Sequence, residues 1–326
     1  MTRYPPAIVF LSVALLPLAA WGCGTKSETA SHWNELNAAG EEAYGDGDLA
    51  KARHAFEQAL TEADKQHLAI ERASTLNDLG LVYRAEKDYE KSEGALKEAL
   101  ALREKHLGAA DCTGVTLDNL AELYFDQGRL ELAESTYLQS LKIAEHAGTD
   151  ALHEATVLNN LGAFYFAQKK FDQAEPYLQR ALDGYTKIRE AEKPTDKGAI
   201  LMLALAEANG DRRDTPAEAR IKDLIQALLA IYQMDHRYTQ FRELYVRFVR
   251  ERAGFAPEQA LRAAHSFALQ ADKLAADGKR DDAEAMYNRS LAAFEAGGAT
   301  QSADAVATRK KYTAWVGSSA AKAPAK

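Results

Sequence analysis

The same pattern of small and apolar residues occurs four times between residues 33 and about 190, and it limits the chain to few folds. Small residues recur at Gly40, Gly80, Ala121 and Gly162, which are 40, 41 and 41 residues apart. Two further small sets keep these spacings: Ala52, Ser92, Ala133 and Ala174, and then Ala59, Ala99, Ser140 and Ala181. A period of this length indicates one supersecondary unit per repeat, and such a unit cannot bury its apolar face without neighbours. The repeats therefore predict a stack of similar units.

Each repeat predicts two helices joined by a short turn. Apolar stripes at helical spacing begin at Leu36, Leu76, Leu117 and Leu158 and continue through Tyr83, Tyr124 and Tyr165. The turns contain GDGD, AEKD, DQGR and AQKK. The small residue of the first helix lets the two backbones approach closely, and the gap is filled from the second helix by Phe56, Leu96, Tyr137 and Leu178. Val, Ile and Thr rarely run together, so no strand is indicated and the chain is predicted to be all-α.

With its aromatic, Leu, Gly, Tyr and Ala positions at these offsets, the pattern resembles the tetratricopeptide repeat. The usual period of that repeat is about 34 residues, and the longer period here adds about one turn to each helix of the pair. The period and sequence segments such as AEPYLQRAL resemble the long-repeat subgroup typified by kinesin light chains. The resemblance covers residues 33–190 and implies an alpha-alpha superhelix, a solenoid of stacked helix-turn-helix repeats.

The remaining chain predicts further helices with a weaker repeat. Residues 191–256 are an irregular segment with a short apolar helix at 199–209 and a degenerate repeat from helices at 216–234 and 237–253. A clearer copy at 264–297 and a last helix at 300–316 predict a C-terminal repeat with a capping helix over residues 257–316. The tail, residues 317–326, is predicted to be disordered.

The first residues have the organisation of a signal peptide. Residues 7–20 are almost wholly apolar, and Arg3 is the only charge before Lys26. A membrane-spanning helix needs about 20 apolar residues, and Pro17 would interrupt a buried helix. Gly22 is a small residue before Cys23, as a processing site requires. Residues 1–22 are therefore predicted to be a signal peptide.

The sequence is consistent with two forms of the mature N-terminus. The stretch LAAWGC resembles the bacterial lipoprotein box, in which small residues precede a lipid-modified cysteine. This implies lipidation of Cys23, a tether over residues 23–32 and, from Gly24, an outer-membrane lipoprotein facing the periplasm. Alternatively, cleavage after Gly22 releases a soluble secreted protein. A disulfide between Cys23 and Cys112 is possible only if Cys23 is not lipidated.

The sequence carries no recognisable catalytic constellation. It lacks GxSxG, a Walker loop, HExxH and CxxC, and its net charge of −8 argues against nucleic acid as a partner. His67, His106 and His146 lie near the ends of successive second helices, about 10 Å apart in a stack, which is too far for one metal ion. We therefore predict no enzyme activity, no cofactor, no metal and no small-molecule substrate. The basic, aromatic segment 237–252 is interpreted as a core stripe with solvated arginines, and a lipid-binding or partner-binding helix is its alternative.

The family resemblance implies that the first helices line a concave groove that binds extended peptides. The family positions correspond to Asn37, Glu41, Asn77, Asp78, Arg84, Asp118, Asn119, Glu122, Asn159 and Asn160. An amide both donates and accepts, so the asparagines can pair with any peptide backbone. Alternatively, Asn before Leu-Gly is a common feature of the repeat sequence and has no role in binding. Because carboxylates outnumber Arg84, a neutral or basic extended segment is the expected ligand.

These observations predict a non-enzymatic scaffold or adaptor lipoprotein that binds other proteins in the bacterial cell envelope. The resemblance suggests secretin or outer-membrane-protein assembly, or the organisation of wall enzymes. One alternative is a structural subunit that assembles through its convex or cap surfaces. A soluble secreted protein, and an enzyme with its site in residues 191–256, are the others.

Overall fold

The computed structural model describes residues 31–146, 151–192, 215–251 and 256–320. The chain divides into two compact units, Met1–Ile188 and Arg189–Lys326. All regular elements in the described ranges are helices, which confirms the all-α prediction. Within these ranges no helix combines the length and the apolar character needed to cross a membrane. The predicted signal peptide, Cys23, nearly all of the tether and the helix at 199–209 lie outside the described residues.

The first unit is a stack of four helix pairs. The helices are α1 (Ser31–Gly45), α2 (Leu49–Lys65), α3 (Ala69–Ala85), α4 (Tyr89–Leu107), α5 (Asp111–Asp126), α6 (Leu130–His146), α7 (Ala151–Ala167) and α8 (Phe171–Ala191), the last of which ends just beyond it. Each helix packs against its neighbours in the chain, and the first helices α1, α3, α5 and α7 also contact one another in order. The first helices therefore form one continuous layer, as in a solenoid.

The small residues of the first helices allow the close approach that their spacing predicts. A Cβ atom placed on Gly40 would lie 2.5 Å from Cε1 of Phe56, and one on Gly80 would lie 2.5 Å from Cγ of Leu96. Real Cβ atoms essentially never come this close to another carbon, so a larger residue at either position would force the facing side chain or helix to shift. Ser92, the small residue of α4, donates a hydrogen bond of 2.7 Å to the Gly80 carbonyl. Both helices of a pair are thus adapted to a short interaxial distance.

The turns between paired helices share one conformation although their sequences differ. One residue of each turn has a left-handed backbone conformation. It is glycine in two turns, Gly47 with φ of 79° and Gly128 with φ of 72°, and lysine in the other two, Lys87 with φ of 64° and Lys169 with φ of 60°. In the first two repeats the turn ends at an aspartate, whose carboxylate caps the second helix by accepting from the backbone N–H three residues on. The repeat geometry therefore imposes the left-handed conformation even where no glycine favours it.

The second unit contains five described helices: α9 (Pro216–Met234), α10 (Tyr238–Glu251), α11 (Pro257–Ala276), α12 (Arg280–Ala296) and α13 (Ala303–Ala320). Thr215 and Glu218 form a reciprocal capping box at the start of α9. The first helix of the C-terminal repeat begins at Pro257 rather than at residue 264, because proline suits the first turn of a helix. The last helix, predicted at 300–316, continues to Ala320, into the segment predicted to be disordered.

The aromatic segment at 237–252 is part of the core of the second unit. Tyr238, Phe241 and Val246 are buried, and Val246 packs against alanines of α11 and α12. Arg242 donates to the Asn288 side chain at 2.8 Å, and Arg250 donates to the Glu295 carbonyl at 2.6 Å. The buried aromatic residues agree with the core-stripe interpretation, whereas Arg242 and Arg250 form hydrogen bonds to α12 and are not simply solvated as predicted.

Candidate interaction surface

The side chains predicted to line the groove lie on the first helices of the four repeats. We call this set the first-helix face: Asn37, Glu41, Asn77, Asp78, Arg84, Asp118, Asn119, Glu122, Asn159 and Asn160. Seven of the ten are buried, and Glu41, Arg84 and Asn119 are partly exposed. Neighbouring first helices contact one another, so these polar groups lie along one layer of the stack. Most of them form hydrogen bonds or ion pairs with each other.

A chain of hydrogen bonds joins the first repeat to the second. The indole Nε1 of Trp33 donates to Oγ1 of Thr75 at 2.9 Å, and that hydroxyl donates to Oδ1 of Asn37 at 3.3 Å. Nδ2 of Asn37 then donates to Oε1 of Glu41 at 2.8 Å. Both Oδ1 and Nδ2 of Asn37 are therefore hydrogen-bonded, and the bond from Nδ2 orients the Glu41 carboxylate.

Two links join the second repeat to the third. Nδ2 of Asn119 donates to Oδ1 of Asn77 at 2.9 Å, so two members of the asparagine ladder contact each other across the repeat boundary. Arg84 pairs with Glu122 and, through Nε, with Oδ2 of Asp126 at 2.6 Å. The polar layer is thus continuous over α1, α3 and α5. Asn159 and Asn160 on α7 contact each other at 3.5 Å.

Burial raises the pKa values of three carboxyl groups of this face, Asp78, Asp118 and Glu122. Burial raises the pKa of Asp78 to about 7, Glu41 raises it further, and the amide of Asn77 opposes the shift. Burial also raises the pKa of Glu122, although Arg84 opposes it. The Arg84 guanidinium keeps a pKa above its usual value, because Glu122 and Asp126 outweigh the effect of its burial. Burial therefore favours the protonated form of these carboxyl groups, and the one arginine of the face is engaged by Glu122 and Asp126.

Arg103 is a buried contributor that the sequence analysis did not identify. Its Nη1 donates to the Cys112 carbonyl at 2.6 Å and to Oγ1 of Thr116 at 2.5 Å, so α4 is joined to the start of α5. Burial lowers the pKa of Arg103 to about 10, and nearby Asp78 opposes this. The signal was available: Arg103 stands where the first and third repeats have Ala63 and Ala144.

His153 is a second buried group that the sequence analysis did not identify. Its side chain is 0% exposed and lies between two carboxylates of α5, with Nδ1 3.1 Å from Oδ1 of Asp111 and Nε2 3.6 Å from Oδ2 of Asp118. The ring packs against Gly114, which stands where the second and fourth repeats have Ala73 and Ala155. Loss of the methyl group makes room for the imidazole.

Within the described ranges, no group of three His, Cys, Asp or Glu residues has a geometry that could hold a metal ion. The first-helix face offers amides, which donate and accept, and carboxylates, which accept. Such a layer can bind a peptide backbone or a cationic side chain.

A tetratricopeptide-repeat family model matches residues 36–105, 71–146, 112–187 and 153–220, which together span more than half of the chain. A search of curated proteins found none with significant sequence similarity to this chain.

Among solved structures, BtubC (BKLC) from P. vanneervenii is 18% identical over 85% of this chain and 94% of its own, with a TM-score of 0.47. The pilF protein of Pseudomonas aeruginosa is 15% identical, and the match covers 87% of this chain and 100% of the pilF chain with a TM-score of 0.48. A Rap protein complexed with Competence and Sporulation Factor is 15% identical, and the match covers 89% of this chain and 76% of the Rap chain with a TM-score of 0.49. Similarity at this level carries no information on partners.

Proposed function

The chain belongs to the tetratricopeptide repeat family, and from that premise we propose that it binds an extended segment of a partner protein along its first-helix face. Proteins of this family are generally non-catalytic interaction scaffolds. The observation that carries the proposal is the continuous polar layer over α1, α3 and α5, which joins Asn37, Asn77 and Asn119 with acidic neighbours. A layer inside a helical stack would ordinarily be apolar, because buried polar groups must all find partners.

The charge of the first-helix face favours a neutral or basic segment. Glu41, Asp78, Asp118 and Glu122 are acidic, whereas Arg84 is the one basic member and is already paired. A lysine or arginine side chain of the segment would be attracted by Glu41 and Asp78. An acidic segment would meet repulsion there.

A peptide display experiment tests this proposal. Random extended peptides are selected on the mature protein, and the affinities of the selected peptides are measured by calorimetry for wild type and Glu41→Lys. We expect neutral or basic peptides, whose affinity falls at least about tenfold in the variant, because a charge reversal places like charges together.

Glu57→Lys is the matched control. Glu57 is an exposed residue of α2 in the same repeat, so the substitution is chemically identical but lies off the first-helix face. Its affinities should equal those of wild type. Selection of acidic peptides, or equal losses in both variants, would refute binding at this face.

We also propose that the protein is exported and held in the cell envelope through a lipid on Cys23. The support is the apolar stretch of residues 7–20 followed by small residues and the cysteine. When cells are labelled with an alkyne fatty acid, wild type should carry the label and sediment with membranes. Cys23→Ser should lose both properties, since two or three acyl chains provide the anchor.

Cys112→Ser is the control for this experiment, because it removes the other cysteine and leaves the lipidation site intact. It should be labelled as wild type is. An unlabelled, soluble wild type whose mobility on a gel changes with reductant would instead indicate the secreted form with a Cys23–Cys112 disulfide.

One observation favours a second candidate function, assembly through the second helices. Leu130 and Leu138 on α6 are 37% and 41% exposed, and eight residues separate them, which puts them within about 80° on the helix. If this surface mediates assembly, Leu130→Glu with Leu138→Glu should dissociate the native complexes in detergent extracts. Leu269→Glu, at an exposed leucine of α11, is the control and should leave the complexes intact.

A further inference from the structure

We propose that the junction between the third and fourth repeats is a pH-sensitive joint, in which protonated His153 holds α7 to α5 through Asp111 and Asp118. Deprotonation of His153 loosens this joint. The proposal concerns the stability of the first unit, and it does not depend on what the first-helix face binds.

The geometry requires a cation for full engagement of the ring. Both nitrogens of His153 face carboxylate oxygens, Nδ1 that of Asp111 at 3.1 Å and Nε2 that of Asp118 at 3.6 Å. A neutral imidazole has one N–H donor, whereas the imidazolium has two. The Nε2 contact is too long for a strong hydrogen bond, so its attraction depends on charge. Loss of the proton therefore removes the attraction on at least one side.

Burial makes the charge pair matter more than a surface pair would. The His153 side chain is 0% exposed and that of Asp118 is 7% exposed, so solvent screens their interaction little. An ionised Asp118 beside a neutral His153 would be a buried charge without a cation, which is costly. The two residues also lie on different repeats, so their interaction acts directly on the contact between α5 and α7.

The ring nitrogens lie beside Asp111 and Asp118, and most other charged residues on the neighbouring helices are paired with each other or exposed. On α6, Glu134 accepts from Tyr165, and Glu145 pairs with Arg180 of α8, which also holds Glu154 of α7. Of the other charged residues on α6 and α8, Glu131, Lys142, Asp172, Asp183, Lys187 and Glu190 are exposed, whereas Glu175 and Arg189 are partly exposed. Burial alone would lower the pKa of His153, but Asp118 and Asp111 outweigh it and raise the pKa above its ordinary 6.5.

The direction of the pH effect follows from that shift. A histidine whose pKa is higher in the folded state than in the unfolded state stabilises the fold fully below pH 6.5. This stabilisation is lost as the pH rises through the folded-state pKa. Each unit of pKa above the ordinary value corresponds to a tenfold change in the unfolding equilibrium constant. The joint is therefore firm in mildly acidic solution and weaker in alkaline solution.

The first test observes His153 in the wild-type protein and needs no destabilising variant. Histidine ring carbons are labelled and titrated by NMR, and His153→Gln identifies the His153 resonance. We expect its pKa to lie above 6.5. A pKa at or below that value would overturn the proposal, because burial would then dominate over the two carboxylates.

The second test compares stabilities between about pH 5.5 and about pH 8.5, the range in which histidine titrates. Urea unfolding is measured for wild type, His153→Gln and His54→Gln, the last at an exposed histidine of α2. The stability difference between wild type and His153→Gln should be largest at the acidic end and shrink as pH rises. The His54→Gln difference shows the effect of removing an exposed histidine and is subtracted from the His153→Gln difference at each pH. A His153 difference that stays constant or grows with pH would overturn the joint.

Discussion

Gly80→Ala is expected to destabilise the first unit by about 1–3 kcal/mol, the usual cost of overpacking a well-packed core. The new methyl carbon would lie 2.5 Å from Cγ of Leu96 and 2.7 Å from its Cδ2. Leu96 is fully buried, so it cannot move into solvent to make room. The helices α3 and α4 must therefore separate, or Leu96 must leave its rotamer. Urea unfolding followed by circular dichroism measures the loss, and hydrogen exchange in α3 and α4 assigns it to this unit.

The control lies on the other helix of the same pair. Gly94 is a helical residue of α4, and a Cβ atom there would have no neighbour within 4 Å. Gly94→Ala should therefore stabilise the protein by roughly 0.5–1 kcal/mol, because alanine loses less backbone entropy than glycine in a helix. The two substitutions are chemically identical and opposite in expected sign. Stabilisation by both would show that the pair does not need a close approach at Gly80.

Arg103→Met should destabilise the first unit by about 2–3 kcal/mol, because it removes the buried donor shared by two acceptors. The Arg103 side chain is 3% exposed and donates to the Cys112 carbonyl and to Thr116, as described above. Methionine fills a similar volume but cannot donate, so the Thr116 hydroxyl and the Cys112 carbonyl at the start of α5 lose their connection to α4. Thermal unfolding of wild type and variant at one pH measures the effect.

Arg53→Met tests whether this effect depends on burial. Arg53 pairs with Glu86 at 3.2 Å, but its side chain is 40% exposed. An exposed ion pair contributes about 0–1 kcal/mol, so this variant should remain close to wild type. If both arginine variants lose the same stability, a general loss of positive charge would explain the result better than the buried contacts of Arg103.

The periodic features of the sequence were sufficient to predict the helix pairs and their closest contacts. Gly40 and Gly80 were predicted to allow close packing by Phe56 and Leu96, and the structure confirms both contacts. Family membership confirms the tetratricopeptide prediction. These features could be predicted because every repeat must solve the same packing problem, so the solution recurs at a fixed spacing.

Contacts that differ between repeats could not be predicted in this way. Arg103 and His153 each occupy a position that holds different residue types in the other repeats, and their partners come from neighbouring repeats. Likewise, the roles of Asn77 and Asn119 as partners of each other depend on the distance between α3 and α5. A spacing rule gives the register of such residues but not the directions of their side chains. Whether this face binds a peptide remains a prediction.

The packing of each helix against its neighbours in the chain also has a consequence for how the first unit folds. Contacts between residues close in sequence require only short loops to close, and chains with such contacts fold faster than chains of similar size with distant pairings. Any one hairpin can serve as a starting point, and each later hairpin adds to an existing edge. A chain that emerges with its N-terminus first can therefore build this stack in order, without waiting for its second unit.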